Sequence, residues 1–458
     1  MSTPQPVNPP CRRTPGRLAA LAGLATVIAV VLAGCAAPGP APLQRREVAA
    51  PAAADPVHPC IRAAPAGGGA DPVAPADLDV RYDPAARRIE LAAGTDVSLP
   101  ALAAAVDDPA ALRETGPGEW LLGADLAVLT GASLKIGAPD VRWLKLSSTP
   151  ERFVSVQAQG GRLDITGSCV TSWDDEQSRV DVDHTDGRAF LLASDGAQMT
   201  ITQAELRHLG HGDVESYGLS WRTAGTVGSI TDSTVSHLYY GLYTHEVAGL
   251  QVLDNEFHDN VLYGIDPHTG STGLRIEGNT VHDNGKHGII LAEDCTDSVI
   301  RDNVVYRNAH HGIVLYLHSD RNLVEGNETF ANTAQGINVN ESGANTLRDN
   351  RVYDNGESGI GITQTGHGNT VEGNQVRGNR QDGVRVVTEA TGTTVRGNTI
   401  ADNVRYGVYV DTGGPVEVTG NTVTGNRAGV VSTGDPVTAD GVNTVSGNHD
   451  ADLVADHG

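Results

Sequence analysis

Three short stretches of this chain carry side chains that can move protons. Tyr263-Gly264-Ile265-Asp266-Pro267-His268 sets a histidine two residues after an aspartate and five after a tyrosine; Tyr243 is followed two residues later by His245, and Ser220 by Arg222. A spacing of two keeps side chains on one face of a strand. A histidine titrates near neutrality and so can take a proton, while a phenol can give one back. Together these residue types suit acid–base chemistry at a glycan-binding subsite.

The three stretches share a register because each follows a repeat glycine. A glycine followed by an aliphatic residue recurs at Gly218, Gly241, Gly264, Gly288, Gly312, Gly336, Gly359, Gly383, Gly407 and Gly429, at intervals of 22 to 24 residues. Pairs of asparagines five apart run in phase, from Asn255/Asn260 through Asn279/Asn284 and Asn303/Asn308 to Asn421/Asn426. Each unit reads as short Val/Ile/Leu strands separated by Asn and Gly turns. Leucine-rich repeats need another leucine spacing, and propeller blades run to about 40 residues. The fold expected is all-β, a right-handed parallel β-helix of about 24 residues per coil. Asn and Gly suit its turns because both tolerate the left-handed backbone region, and stacked asparagines can form hydrogen-bonded ladders.

Alternation within the strands assigns the faces. Residues one and three after each glycine, such as Ile265 and Pro267 or Ile289 and Leu291, point inward; residues two and four after it, such as Asp266 and His268, then face solvent. Arg222, His245 and His268 should form a ladder across adjacent coils roughly 10 Å long, the length of a couple of sugar rings. The residue before the glycine adds a second column, Tyr217, Tyr240, Tyr263, His287 and His311. The substrate-binding candidates are Arg222, Tyr243, His245, Lys286, His287, His310 and Tyr316, and the catalytic candidates are His268, Asp266 and Tyr263.

The hexapeptide Tyr263 to His268 resembles the signature of bacterial mannuronan (alginate) C5-epimerases. Arg188-Ala189-Phe190, Tyr217-Gly218-Leu219-Ser220, Tyr239-Tyr240-Gly241-Leu242-Tyr243 and Lys286-His287-Gly288-Ile289-Ile290 resemble segments of the periplasmic members in the same order, over roughly residues 99–403. The resemblance implies a polyuronate bound along a groove, with His268 as the base that removes the C5 proton, Asp266 beside it and Tyr263 in the proton relay on the other face. The family's carboxylate-steadying arginine has no counterpart, since Glu293 and Asp294 stand there, and His310 holds the place of a later-coil arginine. Either the neutralising cation comes from Arg222, Lys286 or a calcium ion held by Glu293 and Asp294, or the substrate is not alginate. No other metal or organic cofactor is expected. A β-eliminating lyase shares the base step, and a non-catalytic glycan-binding or partner-binding β-helix is the reading from another class.

The ends of the chain address its location. Arg12, Arg13 and Arg17 precede the apolar run from Leu18 to Ala33, which ends in Leu32-Ala33-Gly34-Cys35. This reads as a signal peptide over 1–34, and the last four residues resemble the bacterial lipobox, with Cys35 as the lipidated residue of an extracytoplasmic, membrane-anchored protein. Losing those three arginines and no acids would move the formal charge from −24 to −27, which disfavours nucleic acid as a partner. A Pro/Ala-rich linker is expected over 35–76 and a cap segment over 77–118, with strands near Asp79–Tyr82 and Arg88–Leu91 and a helix over Leu99–Leu112. The β-helix is expected over 119–450 with a tail at 451–458, and the molecule is expected to be a monomer. Cys60, Cys169 and Cys295 can form at most one disulfide among themselves.

Overall fold

Each coil of the chain is three short strands joined by three corners, and each strand pairs in parallel with its equivalent one coil later. In a computed structural model, which describes Cys60, residues 75–433, Val437 and residues 443–456, this pattern builds a right-handed solenoid of about 14 coils. The expected signal peptide and Cys35 lie outside the described residues, as does nearly all of the linker. One coil illustrates the rest: Ile265–His268 pairs with the strands Tyr240–His245 and Ile289–Ala292, Arg275–Glu277 with Val299–Arg301, and Thr280–His282 with Val304–Tyr306.

The core is three aliphatic ladders. Leu242, Ile265, Ile289, Ile313 and Ile337 stack in the first sheet, Val252, Ile276, Ile300 and Val324 in the second, and Phe257, Val281 and Val305 in the third; all are at most 1 % exposed. Between the sheets run two asparagine ladders. Each Nδ2 donates to the Oδ1 of the asparagine one coil on, as Asn279 to Asn303 at 2.9 Å and Asn284 to Asn308 at 2.9 Å, and each Oδ1 also accepts a backbone N–H. Thus the amides satisfy backbone groups that the corners would otherwise bury unpaired.

The left-handed backbone expected at the turns holds for glycines such as Gly278, Gly326 and Gly373, but the reason expected for Asn is corrected. Positive φ falls on the residue before each asparagine, as at Asp254 (+56°), Gly278 (+69°), Asp283 (+55°) and Asp302 (+54°), and not on the asparagine. Nor do the repeat glycines from Gly241 onward adopt it. A Cβ on Gly264 would lie 2.5 Å from Val281 Cγ1 and 2.6 Å from Gly288 O, so close approach of the third sheet excludes a side chain. Gly218 differs: its φ is +117°, and an irregularity in the pairing shifts it against Tyr240.

The N-terminal end is closed by the helix Leu99–Val106, whose Leu99, Ala101, Leu102 and Val106 are buried over the first coil. Ser98 caps it by accepting from Ala101 N at 3.3 Å. It is shorter than expected because Asp107 turns left-handed (φ 48°) and Asp108 precedes Pro109, which disfavours helical backbone. Parallel pairing starts earlier than residue 119, since Arg88–Ser98 already pairs with Asp125–Leu129 and Ala132–Gly137; at the far end Ala451–Asp456 is a strand on Ala428–Thr433 where a tail was expected. Cys60 is disulfide-bonded to Cys169, fastening the chain before the solenoid to its flank, and Cys295 is a buried free thiol. Among the described residues no helix is long and apolar enough to cross a membrane.

Candidate active site

The strands Tyr240–His245, Ile265–His268, Ile289–Ala292, Ile313–Tyr316 and Ile337–Asn340 form the floor of a cleft of about 500 Å³. Its lining includes Tyr243, Tyr263, Asp266, His268, Lys286, His287, His310 and Tyr316. Arg222, His245 and His268 stand directly across the strands from one another, as their common register required. Arg222 lies beneath the lining, its guanidinium 4.6 Å from the Tyr243 ring centre and 5.5 Å from that of Tyr217.

The expectation that this face is solvated is corrected. Arg222 and Tyr243 are 8 % exposed and Asp266 is 2 % exposed. The column before the glycine folds over them, with Tyr240 and Tyr263 stacked at 5.1 Å, Tyr263 and His287 at 5.5 Å, and His287 and His311 at 5.2 Å. An aromatic wall therefore shields the polar floor from water.

That burial sets the charges. Burial raises the Asp266 carboxyl well above the usual carboxylate range, with Glu293 adding to the effect and Lys286 opposing it; its Oδ1 has no hydrogen-bond partner. The shift favours the protonated form of Asp266, which can donate a hydrogen bond. Burial also pushes the Tyr243 phenol up to about 12, against the pull of Arg222. Arg222 Nε and Nη2 are buried without partners, a cation with donors unspent. Lys286 Nζ donates to the Tyr263 hydroxyl at 2.6 Å, leaving that hydroxyl's own proton free to point elsewhere.

His268 is half-buried and stacks on Tyr243 at 5.7 Å. Burial lowers its basicity, with His245 and Arg222 acting the same way and Glu293 the other. Its Nδ1 lies 2.7 Å from Thr269 Oγ1, which donates to Glu293 Oε2 at 3.0 Å. Neither Thr269 nor a link from Glu293 to His268 was foreseen: the contact joins a corner residue to the corner one coil on, which strand alternation does not describe.

The far end of the cleft holds the one group of metal-ligand type among the described residues, His287, His310 and His311, with ring nitrogens within 4.8 Å of one another. Burial drives His287 to about 2 and His311 to about 3, so both rings are neutral. His287 Nδ1 accepts the His311 backbone N–H at 3.3 Å, and His311 Nδ1 accepts that of Gln335 at 3.0 Å. Their protons therefore sit on Nε2, so these two rings present donors to the cleft and no lone pair for a metal. Next to them Ile290, Ala292 and Val314 pack with Tyr263 into an apolar patch.

A family model for the right-handed β-helix region matches residues 189–333 and 315–449. The chain belongs to the right-handed β-helix family. Within that family it is similar to mannuronan C5-epimerases: 30 % identical over 175 residues to that of Pseudomonas fluorescens, and 31 % over 175 residues to that of Pseudomonas syringae pv. tomato. Each match takes in 35 % of this chain and 32 % of the relative, so the chain matches about a third of the length of these curated relatives. The crystal structure of the periplasmic alginate epimerase AlgG superimposes with a TM-score of 0.62 at 25 % identity, over 80 % of this chain and 84 % of that one.

Proposed function

We propose that this β-helix is a polysaccharide C5-epimerase that removes the C5 proton of a uronate residue bound in the cleft and returns it on the opposite face. The observation that carries the reading is Arg222, a buried guanidinium with unpaired donors in the same strand register as His268. Such an arrangement costs free energy in the empty protein and is repaid when an anionic group arrives. It supplies the cation that Glu293 cannot.

In this reading His268 Nε2 takes the C5 proton. The electron pair left on carbon spreads into the carboxylate, where Arg222, Lys286 and the protonated Asp266 offset the charge. Tyr263 lines the same cleft as His268 from the column before the repeat glycine. It returns a proton from the other side, and the Lys286 ammonium stabilises the phenolate left behind. Tyr243, His287, His310 and Tyr316 hold neighbouring sugars, with His245 in register beside them, and the neutral Nε2–H groups of His287 and His311 suit hydroxyl oxygens. Proton removal and return need no organic cofactor, and Glu293 serves here as a carboxylate behind His268 in place of a calcium ligand. The similarity to a periplasmic epimerase and the lipobox-like Leu32-Ala33-Gly34-Cys35 support an extracytoplasmic protein anchored through Cys35.

The test is proton NMR of polymannuronate and other polyuronates incubated with the protein in deuterated water. Deuterium at C5 with inverted configuration supports the epimerase. An unsaturated chain end would mean that the carbanion expels the glycosidic bond, as in a lyase, and binding without exchange would reduce the protein to a glycan receptor.

A further inference from the structure

Behind the His268 ring runs a line of two hydrogen bonds: Nδ1 to Thr269 Oγ1 at 2.7 Å, then Thr269 Oγ1 to Glu293 Oε2 at 3.0 Å, with Glu293 Oε2 itself 3.7 Å from Nδ1. A hydroxyl has one proton. Thr269 gives its proton to Glu293, so its oxygen is left to accept from the ring, and the proton of neutral His268 must sit on Nδ1. The lone pair is then on Nε2, which makes no hydrogen bond within the described residues and belongs to a ring lining the cleft.

We propose that Thr269 and Glu293 are positioning residues that hold His268 in the Nδ1–H tautomer with Nε2 open to substrate, and that Glu293 balances the imidazolium formed when Nε2 takes a proton. This rests on the reading of His268 as the base. The step balances: the substrate C–H bond breaks, both its electrons stay with the substrate, the proton bonds to Nε2, and the ring gains one positive charge opposite one carboxylate. No co-reactant is needed.

The surroundings make Glu293 the group on which this depends. From the two preceding coils Arg222 and His245 disfavour a charged ring, and burial does the same. Tyr243 stacks on its face and is itself held neutral, and burial pushes the Asp266 carboxyl, two residues earlier on the same strand, toward its neutral form. Glu293, from the following coil, is the member of this set that favours the cation. Thr269 (φ +27°) and Glu293 (φ +59°) lie in the left-handed region that this corner adopts in neighbouring coils as well. Cross-coil hydrogen bonds hold them there, from Thr269 N to Ala292 O at 2.9 Å and from Glu293 N to Tyr316 O at 3.0 Å, which fixes the offset between the two side chains.

The test reads the ring directly and needs no substrate. The full chain is labelled with ¹⁵N-histidine, and long-range proton–nitrogen NMR spectra are recorded against pH, the His268 resonances being assigned by their loss in His268→Gln. The Nδ1–H tautomer is expected in the wild type and in Thr269→Ser. Thr269→Val, which keeps the shape and removes the hydroxyl, should shift the population toward Nε2–H, and Glu293→Gln should move the ring's titration to lower pH. An Nε2–H ring in the wild type, or a titration unmoved in Glu293→Gln, overturns the proposal, and Thr269→Ser preserves the test if the valine variant does not fold. A wild-type ring of the expected tautomer that leaves every polyuronate unexchanged would instead sink the epimerase reading alone.

Discussion

Arg222→Met separates stability from function in a way that a structural arginine could not. Arg222 is 8 % exposed, and its Nε and Nη2 have no partner. An unsatisfied buried polar group costs about 1–3 kcal/mol, and more when charged. Against this stands the cation–π contact with Tyr243 at 4.6 Å, worth about 2 kcal/mol when desolvated. Methionine keeps the apolar stem in place. The two terms nearly cancel, so the melting temperature should stay level or rise. Activity should behave otherwise. Arg222 lies beneath the lining, against Tyr243, and acts on a substrate carboxylate as a buried charge; losing one charge-assisted interaction of about 1.5–3 kcal/mol lowers kcat/KM roughly 10- to 10²-fold. The loss should fall on kcat as well as KM, because the carboxylate gains charge as the proton leaves. Deuterium exchange and thermal unfolding measured on the same preparations decide the matter. A variant that loses about 3 kcal/mol of stability while its folded fraction exchanges at the wild-type rate would show Arg222 to be structural and would refute the argument.

His268→Gln should lower turnover by about a hundredfold or more with little change in melting temperature, whereas loss of the exposed His318 should leave turnover near wild type. Asp266 binds a proton more tightly folded than unfolded, so its contribution to stability is fully present below the unfolded pKa near 4 and is lost as pH rises through the raised folded value. Denaturant titrations of Asp266→Asn should accordingly show a variant more stable than wild type at neutral pH, and equal stability there would refute a protonated Asp266. Asn303→Ala removes both Nδ2 bonds, to Ile276 O at 2.8 Å and Asn327 Oδ1 at 2.9 Å, and strips two donors of Asn279 of their acceptor; a loss of about 3 kcal/mol or more is expected in the same titration. Cys35→Ser should move the protein out of the membrane fraction or leave its precursor uncleaved, and continued lipid labelling would exclude the lipobox.

The fold was legible because its signal is repetitive. Ten glycines and two asparagine columns fix the coil length, and Ile265, Ile289 and Ile313 fall where alternation puts them, fully buried. Sequence reasoning found the right residues there but the wrong cause for some, since a glycine chosen for close approach looks the same in a sequence as one chosen for positive φ. Only the 2.5 Å from Gly264 to Val281 tells them apart. At the site, the register rightly aligned Arg222, His245 and His268, yet alternation cannot say how deep an outward residue lies. Asp266 faces away from the core and is still buried, because Tyr240 and Tyr263, three residues before Tyr243 and Asp266, form the wall above it. Thr269 and Glu293 were hidden for another reason: a corner-to-corner contact 24 residues apart leaves no pattern of period two.

A parallel ladder favours like residues in every coil, so a place where one column ceases to repeat is where the ladder is being overruled. The core column of the first sheet is Leu242, Ile265, Ile289, Ile313 and Ile337, while the column one residue on reads Tyr243, Asp266, Ile290, Val314 and Asn338. Identical stacking cannot stabilise such a mixture, and the coils that carry it are those that line the cleft. The corner beside it stays regular in conformation: Glu246, Thr269, Glu293, Leu317 and Glu341 are all left-handed, each held by its backbone N–H on the next coil. Regular corners with irregular side chains give a rail on which a residue is offset from its partner by one coil, about 4.8 Å. Thr269 reaches Glu293 across that step and His268 within its own coil, so the line Nδ1–Oγ1–Oε2 depends on a spacing that the aliphatic core, and no loop, maintains. It follows that a mutation in the core ladder beneath the site, such as Ile289→Ala, should disturb the His268 tautomer by loosening the coil step, though Ile289 touches none of the three groups in that line.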